Sequence, residues 1–333
     1  MQILRPILVT ISFLVNFVYF GHAQETEKLP FFKPAETFHK GRFWTSAAIG
    51  ATAYTGLMIG LNEAWYKDFE RSGFHTFDDW GEWNNMDKMG HWYTAYTYSN
   101  WAFQGAKWTG MDRRKAMWTG AGIGFFLQFS LEILDGYSAK WGFSWSDMAF
   151  NTIGCAMMVG QELAWQEQRI VMKMSSFPTA YPETVVYSVD GGHTTTLRNR
   201  AHSLFGETAL ERFLKDYNKQ TIWASVNVYS FLKNRNQKKF PKWLNVAVGY
   251  GSDNMYGGFK NEWFEDDVFY QLDDNEYPRY QQFFLSLDLD LTKIKTKSHF
   301  LKTLLFLLNT IKVPAPTLEF NTLGQVRFHA IHF

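Results

Sequence analysis

The sequence contains a single cysteine, Cys155, which excludes an internal disulfide bond as a source of stability. The chain also has no large excess of positive or negative charge. The 33 Lys and Arg residues and the 32 Asp and Glu residues leave a formal net charge of +1. Proteins that bind nucleic acid usually carry a strongly basic surface, so this balance excludes nucleic acid as an expected partner.

The first 23 residues have the layout of a cleaved secretory signal peptide. Arg5 precedes an apolar run over residues 7–20, and the small residues Gly21 and Ala23 stand where a signal peptidase cleaves. An uncleaved membrane anchor is the alternative, but the run is shorter than the roughly 20 residues that a span needs. Because the residue directly after the cleavage point is Gln24 and not a cysteine, we do not expect a lipid-anchored N-terminus. An exported chain without disulfides indicates a bacterial cell envelope.

Long uncharged stretches dominate the first half of the chain. Residues 43–62, 116–131 and 148–161 carry no charge, and residues 89–106 carry only His91. The sequence predicts four helices, near residues 42–70, 86–108, 113–135 and 146–172. Such helices are either buried all round in a compact bundle or associated with a membrane. We favour membrane association and expect membrane lipid as a partner; the sequence indicates no particular protein partner.

Basic residues precede the first and the third predicted helices. These are Lys40 and Arg42 before the first, and Arg113, Arg114 and Lys115 before the third. If the first helix crossed the inner membrane after signal cleavage, its basic end would face outward, against the usual bias of basic residues toward the cytoplasm. We therefore favour the outer membrane or the periplasmic face over the inner membrane. A basic loop at residues 233–242 is a further candidate for contact with lipid headgroups.

The second half of the chain predicts strands instead. Apolar and polar residues alternate around residues 222–229, 244–250, 283–291 and 326–333, and we expect about six strands in all. Thr208 and Glu211 form a capping-box pattern for one short amphipathic helix, and residues 299–311 predict another. Six strands are fewer than the eight of the smallest single-chain outer-membrane barrels, so we predict a small sheet or a partial barrel.

The predicted fold class is therefore α+β. A hydrophobic N-terminal four-helix bundle is followed by a small antiparallel β-sheet or partial barrel with one or two amphipathic helices. The predicted organisation is a signal peptide over residues 1–23, a linker over 24–42, a helical domain over 43–172, a connecting segment over 173–220 and a β-rich domain over 221–333.

Two groups of polar residues interrupt the apolar helices. The first is the D-K-x-x-H motif at the start of the second predicted helix. Its residues are Asp87, Lys88 and His91. The second group lies at the end of the third helix and the start of the fourth, and comprises Glu132, Asp135, Ser144, Ser146, Asp147 and Asn151. Asp87 and His91 are four residues apart, as are Asp147 and Asn151, and Glu132 and Asp135 are three apart. The two members of each pair therefore share one helix face, and we expect the three helix ends to converge.

Ionisable groups in apolar surroundings cost several kcal/mol unless they are paired or used, and two interpretations follow. In the structural one, Asp87 and Asp147 belong to helix caps, and Glu132 pairs with Lys88 or Arg113. In the functional one, His91, Asp87 and Asp147 form an acid–base or metal-binding set, and Lys88 opposes negative charge on a substrate. No H-E-x-x-H or His-x-His pattern occurs, so the sequence identifies no metal and no cofactor.

These motifs resemble a known family. D-K-x-x-H at 87–91, the acidic helix end at Glu132 and F-S-x-S-D-x-x-x-N-x-x-G at 143–154 look like the YfiM-like family of uncharacterised bacterial envelope proteins. They are similar, more distantly, to the VanZ-like family of small helical membrane proteins. The resemblance spans residues 40–165. VanZ-like members usually have an arginine shortly before the later aspartate, where this chain has Lys140, and YfiM-like members often have a lipobox cysteine, which this chain lacks.

Neither family implies an established reaction. We therefore expect a membrane-associated protein of the cell envelope with a structural or interaction role, in which the polar cluster fixes the helix packing. The alternative is a membrane-edge enzyme, metal-assisted or acid–base, that acts on a lipid-linked or phosphorylated envelope molecule. The sequence does not decide between a catalytic and a non-catalytic protein.

Overall fold

The computed structural model describes residues 30–67, 69–177, 179–233 and 240–332. The predicted signal peptide and the first residues of the predicted linker lie outside the described residues. Most of the basic loop, residues 234–239, lies outside them as well.

The described part of the chain contains seven α-helices. They are α1 (Lys40–Leu61), α2 (Met86–Trp108), α3 (Arg113–Gly136), α4 (Trp145–Trp165), α5 (Leu197–Phe205), α6 (Ala209–Lys215) and α7 (His299–Leu308). The predicted capping box of α6 is confirmed, since Thr208 and Glu211 bond each other's backbone. The fourth predicted helix was too long: α4 ends at Trp165, because Gln166 adopts a left-handed conformation with φ 52°.

Ten strands are found within the described residues. They are β1 (Ile170–Ser176), β2 (Val185–Tyr187), β3 (Thr194–Thr196), β4 (Gln220–Asn227), β5 (Leu244–Asp253), β6 (Glu262–Glu265), β7 (Val268–Gln271), β8 (Tyr280–Leu289), β9 (Ala315–Asn321) and β10 (Val326–His332). Six of them form one antiparallel sheet in the order β1-β4-β5-β8-β9-β10, and β2-β3 and β6-β7 are separate hairpins. The α+β class and the antiparallel sheet are confirmed.

Among these strands the six-stranded sheet has two edges, β1 and β10, so the barrel is not closed, and the alternative of a partial barrel is not confirmed. The sheet is nevertheless strongly curled. Lys173 on β1 forms a buried 2.8 Å ion pair with Asp288 on β8, although β4 and β5 lie between these two strands. β1 crosses the predicted boundary between residues 172 and 173, because this strand begins only a few residues after α4 ends.

Helices and sheet share one apolar core. Residues Pro34–Phe333 form a single compact unit. Tyr96 and Phe103 of α2 pack in one cluster with Met158 of α4 and with Met172 and Ile222 of the sheet. α2 thus lies in the middle of the molecule, which places the D-K-x-x-H motif inside rather than on an outer surface.

The four-helix bundle is not confirmed as predicted. α2, α3 and α4 pack closely, whereas α1 buries only Arg42 among its 22 residues. Tyr54 of α1 contacts Phe126 of α3, with 5.8 Å between the ring centroids. The remainder of this apolar helix is exposed or half-buried.

The large sheet has its polar face inside and part of its apolar face outside. On β8, Ser286 and Asp288 are buried, whereas Phe283, Leu285 and Leu287 are 46%, 44% and 49% exposed. Cross-strand pairing continues both faces into β9, because Leu285 pairs with Leu318 and Ser286 with Thr317. A sheet of a water-soluble protein usually has the opposite polarity, with its apolar face toward the core.

Candidate functional site

Lys88 is the centre of the polar cluster. Its side chain is fully buried, and Nζ lies 2.6 Å from Asp79 Oδ2, 2.7 Å from Asp147 Oδ1 and 3.2 Å from Asp87 Oδ2. Burial alone would lower the pKa of Lys88, but the carboxylates of Asp87 and Asp147 outweigh it and raise the pKa above its usual value. An ammonium group without such partners would be too costly to bury, so the three acids and Lys88 form one unit.

The start of α2 is set by an unusual backbone. Trp83, Asn84 and Asn85 have φ of 50°, 51° and 62°, in the left-handed region where Asn is tolerated better than most residues. The side chain of Asn85 accepts a hydrogen bond from Gly81 N at 2.8 Å and makes no cap for α2. The predicted capping role for Asp87 is therefore wrong, and its carboxylate instead contacts Lys88 and accepts a hydrogen bond from Tyr217 at 2.9 Å.

The start of α4 follows the prediction more closely. Ser144 is the N-cap, and its Oγ accepts the backbone N–H of Asp147 at 3.1 Å. This leaves the carboxyl of Asp147 free to point at Lys88 and His91. Burial is the main reason that the pKa of Asp147 rises to about 8, although His91 and Lys88 oppose the change.

His91 bridges the two motifs. Its Nδ1 lies 3.0 Å from Asn151 Oδ1, and its Nε2 lies 3.8 Å from Asp87 Oδ1 and 3.7 Å from Asp147 Oδ2. Burial would lower the pKa of His91, but the carboxylates of Asp147, Asp87 and Glu132 raise it to about 9. Gln128 lies beside the same amide, and its Nε2 donates to Asn151 Oδ1 at 2.8 Å.

Glu132 is fully buried on the far side of His91. Its Oε2 accepts the backbone N–H of Ser144 at 3.2 Å, and its Oε1 lies 3.5 Å from His91 Nδ1. Burial raises the pKa of Glu132 to about 7, and the charge on His91 only partly opposes this. The expected pairing of Glu132 with Lys88 or Arg113 is wrong, because the partner of Arg113 is Glu162 at 2.9 Å.

Asp79 is the acid that the sequence did not single out. It lies in the loop before α2 and accepts hydrogen bonds from Ser144 Oγ and Ser146 Oγ, both at 2.7 Å. Burial would raise the pKa of Asp79, but hydrogen bonds with Asp147, Lys88 and the two serines lower it to about 2. Its position in a loop rich in acids made it resemble a solvated residue; only its aromatic neighbours Phe77 and Trp80 suggested burial.

Asp135 lies near this network with a different partner. Tyr66 OH donates a 2.7 Å hydrogen bond to Asp135 Oδ1, and burial raises the pKa of Asp135 to about 6. Tyr66, Gln128 and Tyr217 are further members of the site that the sequence analysis missed. They lie on separate segments, and no spacing pattern connects them to the two motifs.

The predicted convergence of the three helix ends is therefore observed, and a glycine makes it possible. A Cβ atom at Gly154 would lie 2.6 Å from the carbonyl oxygen of Trp92, so α4 approaches α2 at a distance that only glycine permits. The site is open on one side, since the side chains of Asp87 and His91 are 26% and 14% exposed. A cluster of acids and an imidazole with partial access to solvent is able to bind a cation or to transfer protons.

Comparison with known families is consistent with the predicted location. Residues 75–161 match the family described as "Predicted periplasmic lipoprotein (DUF2279)", a segment that holds Asp79, both polar motifs and Asn151. The match supports an uncharacterised bacterial envelope protein that is exported to the periplasm or the outer membrane. It does not show the YfiM-like or VanZ-like resemblance. No curated protein and no solved structure matches the chain.

Proposed function

We propose that this protein is a membrane-associated structural component of the bacterial envelope, which places its apolar outer surface against lipid. The observation that carries this proposal is the polarity of the large sheet. Phe283 and Leu285 of β8 and Phe328 of β10 lie on its apolar face and are 46%, 44% and 68% exposed. Covering a Phe or Leu side chain contributes about 1.5–3 kcal/mol, so leaving this face in water would be costly.

The helices extend the same kind of surface. On α3, Trp118 and Phe126 are both 56% exposed, and on α1, Ile49 and Ile59 are 56% and 61% exposed. By length and composition α3 could cross a membrane, and 33% of its apolar window is buried within the protein. A soluble monomer rarely exposes a contiguous apolar patch above a few hundred Å², so lipid is the partner that these residues favour.

The polar cluster has a structural role in this proposal. Lys88 joins Asp79 from the loop, Asp87 from α2 and Asp147 from α4, and thereby fixes three chain segments at one point. Apolar helices that face lipid on one side gain little packing specificity from the hydrophobic effect. A buried ionic group of defined geometry supplies that specificity instead.

Vesicle flotation of the purified full chain tests the proposal. We expect the wild type to float with vesicles of phosphatidylethanolamine and phosphatidylglycerol. The triple variant Phe283→Gln, Leu285→Gln, Phe328→Gln should bind them at least about 10-fold more weakly, because it loses several kcal/mol of apolar burial. Phe264→Gln is the matched control, since Phe264 is 71% exposed on the separate β6-β7 hairpin. Equal flotation of wild type and triple variant would refute the proposal.

A membrane-edge enzyme is the second candidate function. It is favoured by the pKa of Asp147, about 8, next to His91, whose pKa is about 9, in a partly open site. Groups that exchange protons near neutral pH are common in acid–base catalysis. An envelope extract of phosphorylated or lipid-linked molecules, turned over by the wild type and not by His91→Gln or Asp147→Asn, would support it. No turnover by a wild type that floats normally would exclude it.

A further inference from the structure

We propose that Asp87, His91 and Asp147 bind one divalent transition-metal cation. Each residue offers one ligand atom, and the three atoms lie within 4.8 Å of one another. His91 Nε2 is 3.8 Å from Asp87 Oδ1 and 3.7 Å from Asp147 Oδ2. Ligand atoms that share a cation at about 2.0–2.2 Å are about 3–3.5 Å apart, so the two imidazole–carboxylate distances must shorten by a few tenths of an ångström and the widest pair by roughly 1 Å to complete the site.

Lys88 orients the two carboxylates toward this position. It binds Asp147 through Oδ1 and Asp87 through Oδ2, and the opposite oxygens of both residues therefore face His91. Tyr217 supports the same arrangement by donating its hydroxyl to Asp87 Oδ1 at 2.9 Å. The carboxylates are held in a ligating orientation by groups outside the metal position, as is usual around protein metal ions.

Asn151 orients the imidazole in the way that metal-binding histidines require. Asn151 Oδ1 accepts hydrogen bonds, from Gln128 Nε2 at 2.8 Å and from His91 Nδ1 at 3.0 Å. A neutral ring that donates from Nδ1 to Asn151 carries its lone pair on Nε2, the nitrogen that lies toward Asp87 and Asp147. A carbonyl oxygen that holds the other ring N–H is the commonest support of a histidine ligand.

A buried acid on the Nδ1 side of the imidazole adds negative charge around this position. Glu132 is fully buried, yet its Oε1 accepts no hydrogen bond from the described residues and faces His91. Asp79, Asp87 and Asp147 surround the Lys88 ammonium and Glu132 lies beside His91, so four carboxyl groups face two basic side chains. A divalent cation balances that charge, and the partial exposure of Asp87 leaves room for water ligands.

Isothermal titration of Zn²⁺ into the EDTA-treated full chain tests the site. We expect one Zn²⁺ per chain, with binding weakened at least 10-fold in His91→Gln and Asp147→Asn. Asn151→Ala, which removes no ligand, should weaken it about 10–100-fold. His329→Gln is the matched control, because His329 pairs with the Glu319 carboxylate at 2.7 Å in the sheet. Equal losses in His329→Gln and His91→Gln, or no Zn²⁺ binding by the wild type, would overturn the proposal.

A second measurement covers the case in which a variant does not fold. X-ray absorption of the Zn²⁺-loaded wild type should show a single imidazole with all other ligands oxygen. Two or more imidazoles, or sulfur, would place the ion elsewhere and refute the assignment. The cation site does not depend on the membrane proposal, since folded His91→Gln should float with vesicles like the wild type. Loss of Zn²⁺ binding and loss of flotation therefore report on different claims.

Discussion

Lys88 Nζ lies 2.7 Å from Asp147 Oδ1, and this contact joins two helix starts that are far apart along the chain. This contact explains why the Asp87-Lys88 pair and the later S-W-S-D segment at 144–147 occur in the same protein. Each motif provides a charge that could not be buried without the other. The ion pair is therefore the connection between the two motifs, and the imidazole of His91 and the half-exposed carboxylate of Asp87 are arranged around it.

Removing the ammonium should be strongly destabilising. Lys88→Met leaves Asp79, Asp87 and Asp147 buried without their common partner, and we expect a loss of about 3–5 kcal/mol in the free energy of unfolding. Chemical denaturation followed by tryptophan fluorescence measures this. Lys67→Met is the control, since Lys67 pairs with Glu63 at the surface and should change stability by no more than about 0.5 kcal/mol. A change in Lys88→Met as small as that of the control would contradict the structural role of the cluster.

Two glycines of α4 should respond oppositely to alanine. At Gly154 a Cβ atom would meet the backbone of α2 at 2.6 Å, whereas at Gly160 it would meet nothing within 4 Å. We expect Gly154→Ala to separate α2 from α4 and cost about 1–3 kcal/mol. Gly160→Ala should instead stabilise the helix by up to about 1 kcal/mol, because alanine is the better helix former. Thermal unfolding of both variants decides this, and similar melting temperatures would show that the close approach has little effect.

Tyr217 should stabilise the start of α2, although it lies in the segment between α6 and β4. Its hydroxyl donates to Asp87 Oδ1 at 2.9 Å, and the charged acceptor makes this a strong hydrogen bond. We expect Tyr217→Phe to cost about 1.5–3 kcal/mol. Tyr229→Phe, at a residue of the turn after β4, is a suitable control. Denaturation curves that coincide for the wild type and Tyr217→Phe would show that the contact adds no stability.

Lys312 should make stability depend on pH. It is buried on the inner side of the sheet, with Nζ 4.6 Å from the centroid of the Trp223 ring. Burial lowers its pKa to about 8, with partial opposition from Asp288. An unfolded lysine titrates near 10.4, so between these values only the unfolded state holds the proton, and stability rises with pH.

Comparison with Lys312→Met isolates this effect from the titration of other groups. The free energy of unfolding of the wild type, relative to that of the variant, should rise by roughly 2–3 kcal/mol between pH 8 and about 10.4. Urea denaturation at half-unit steps of pH provides the measurement. A constant difference across this range would mean that Lys312 keeps an ordinary pKa in the folded protein.

Much of the secondary structure was predictable because its signals are local. Uncharged stretches ending at Glu132 or beginning after Asp147 located α3 and α4, and strict alternation located β5 and β8. Prediction failed where the signal was short or mixed. β1 continues directly from a helical stretch, and β9 follows Pro314 and contains Pro316, so neither had a clear period of its own.

The candidate site was predictable in part for the same reason. Spacings within one helix showed that Asp87 shares a face with His91, and that Asp147 shares one with Asn151. They could not show that Asp79 would replace Glu132 as the partner of Lys88, because that choice depends on where a loop crosses the helix ends. Tyr217 and Gln128 were not predicted either, because their contacts with the site also depend on how distant segments are placed.

The sequence by itself determined the long helices and the regularly alternating strands, and that several charges had to be buried together. Both follow from local periodicity and from the cost of isolating a charge in an apolar environment. Only the tertiary structure decided which acids meet Lys88, where the Nε2 of His91 points, and that part of the apolar face of the large sheet lies outward. These depend on the relative placement of distant segments, and no single stretch of sequence carries that information.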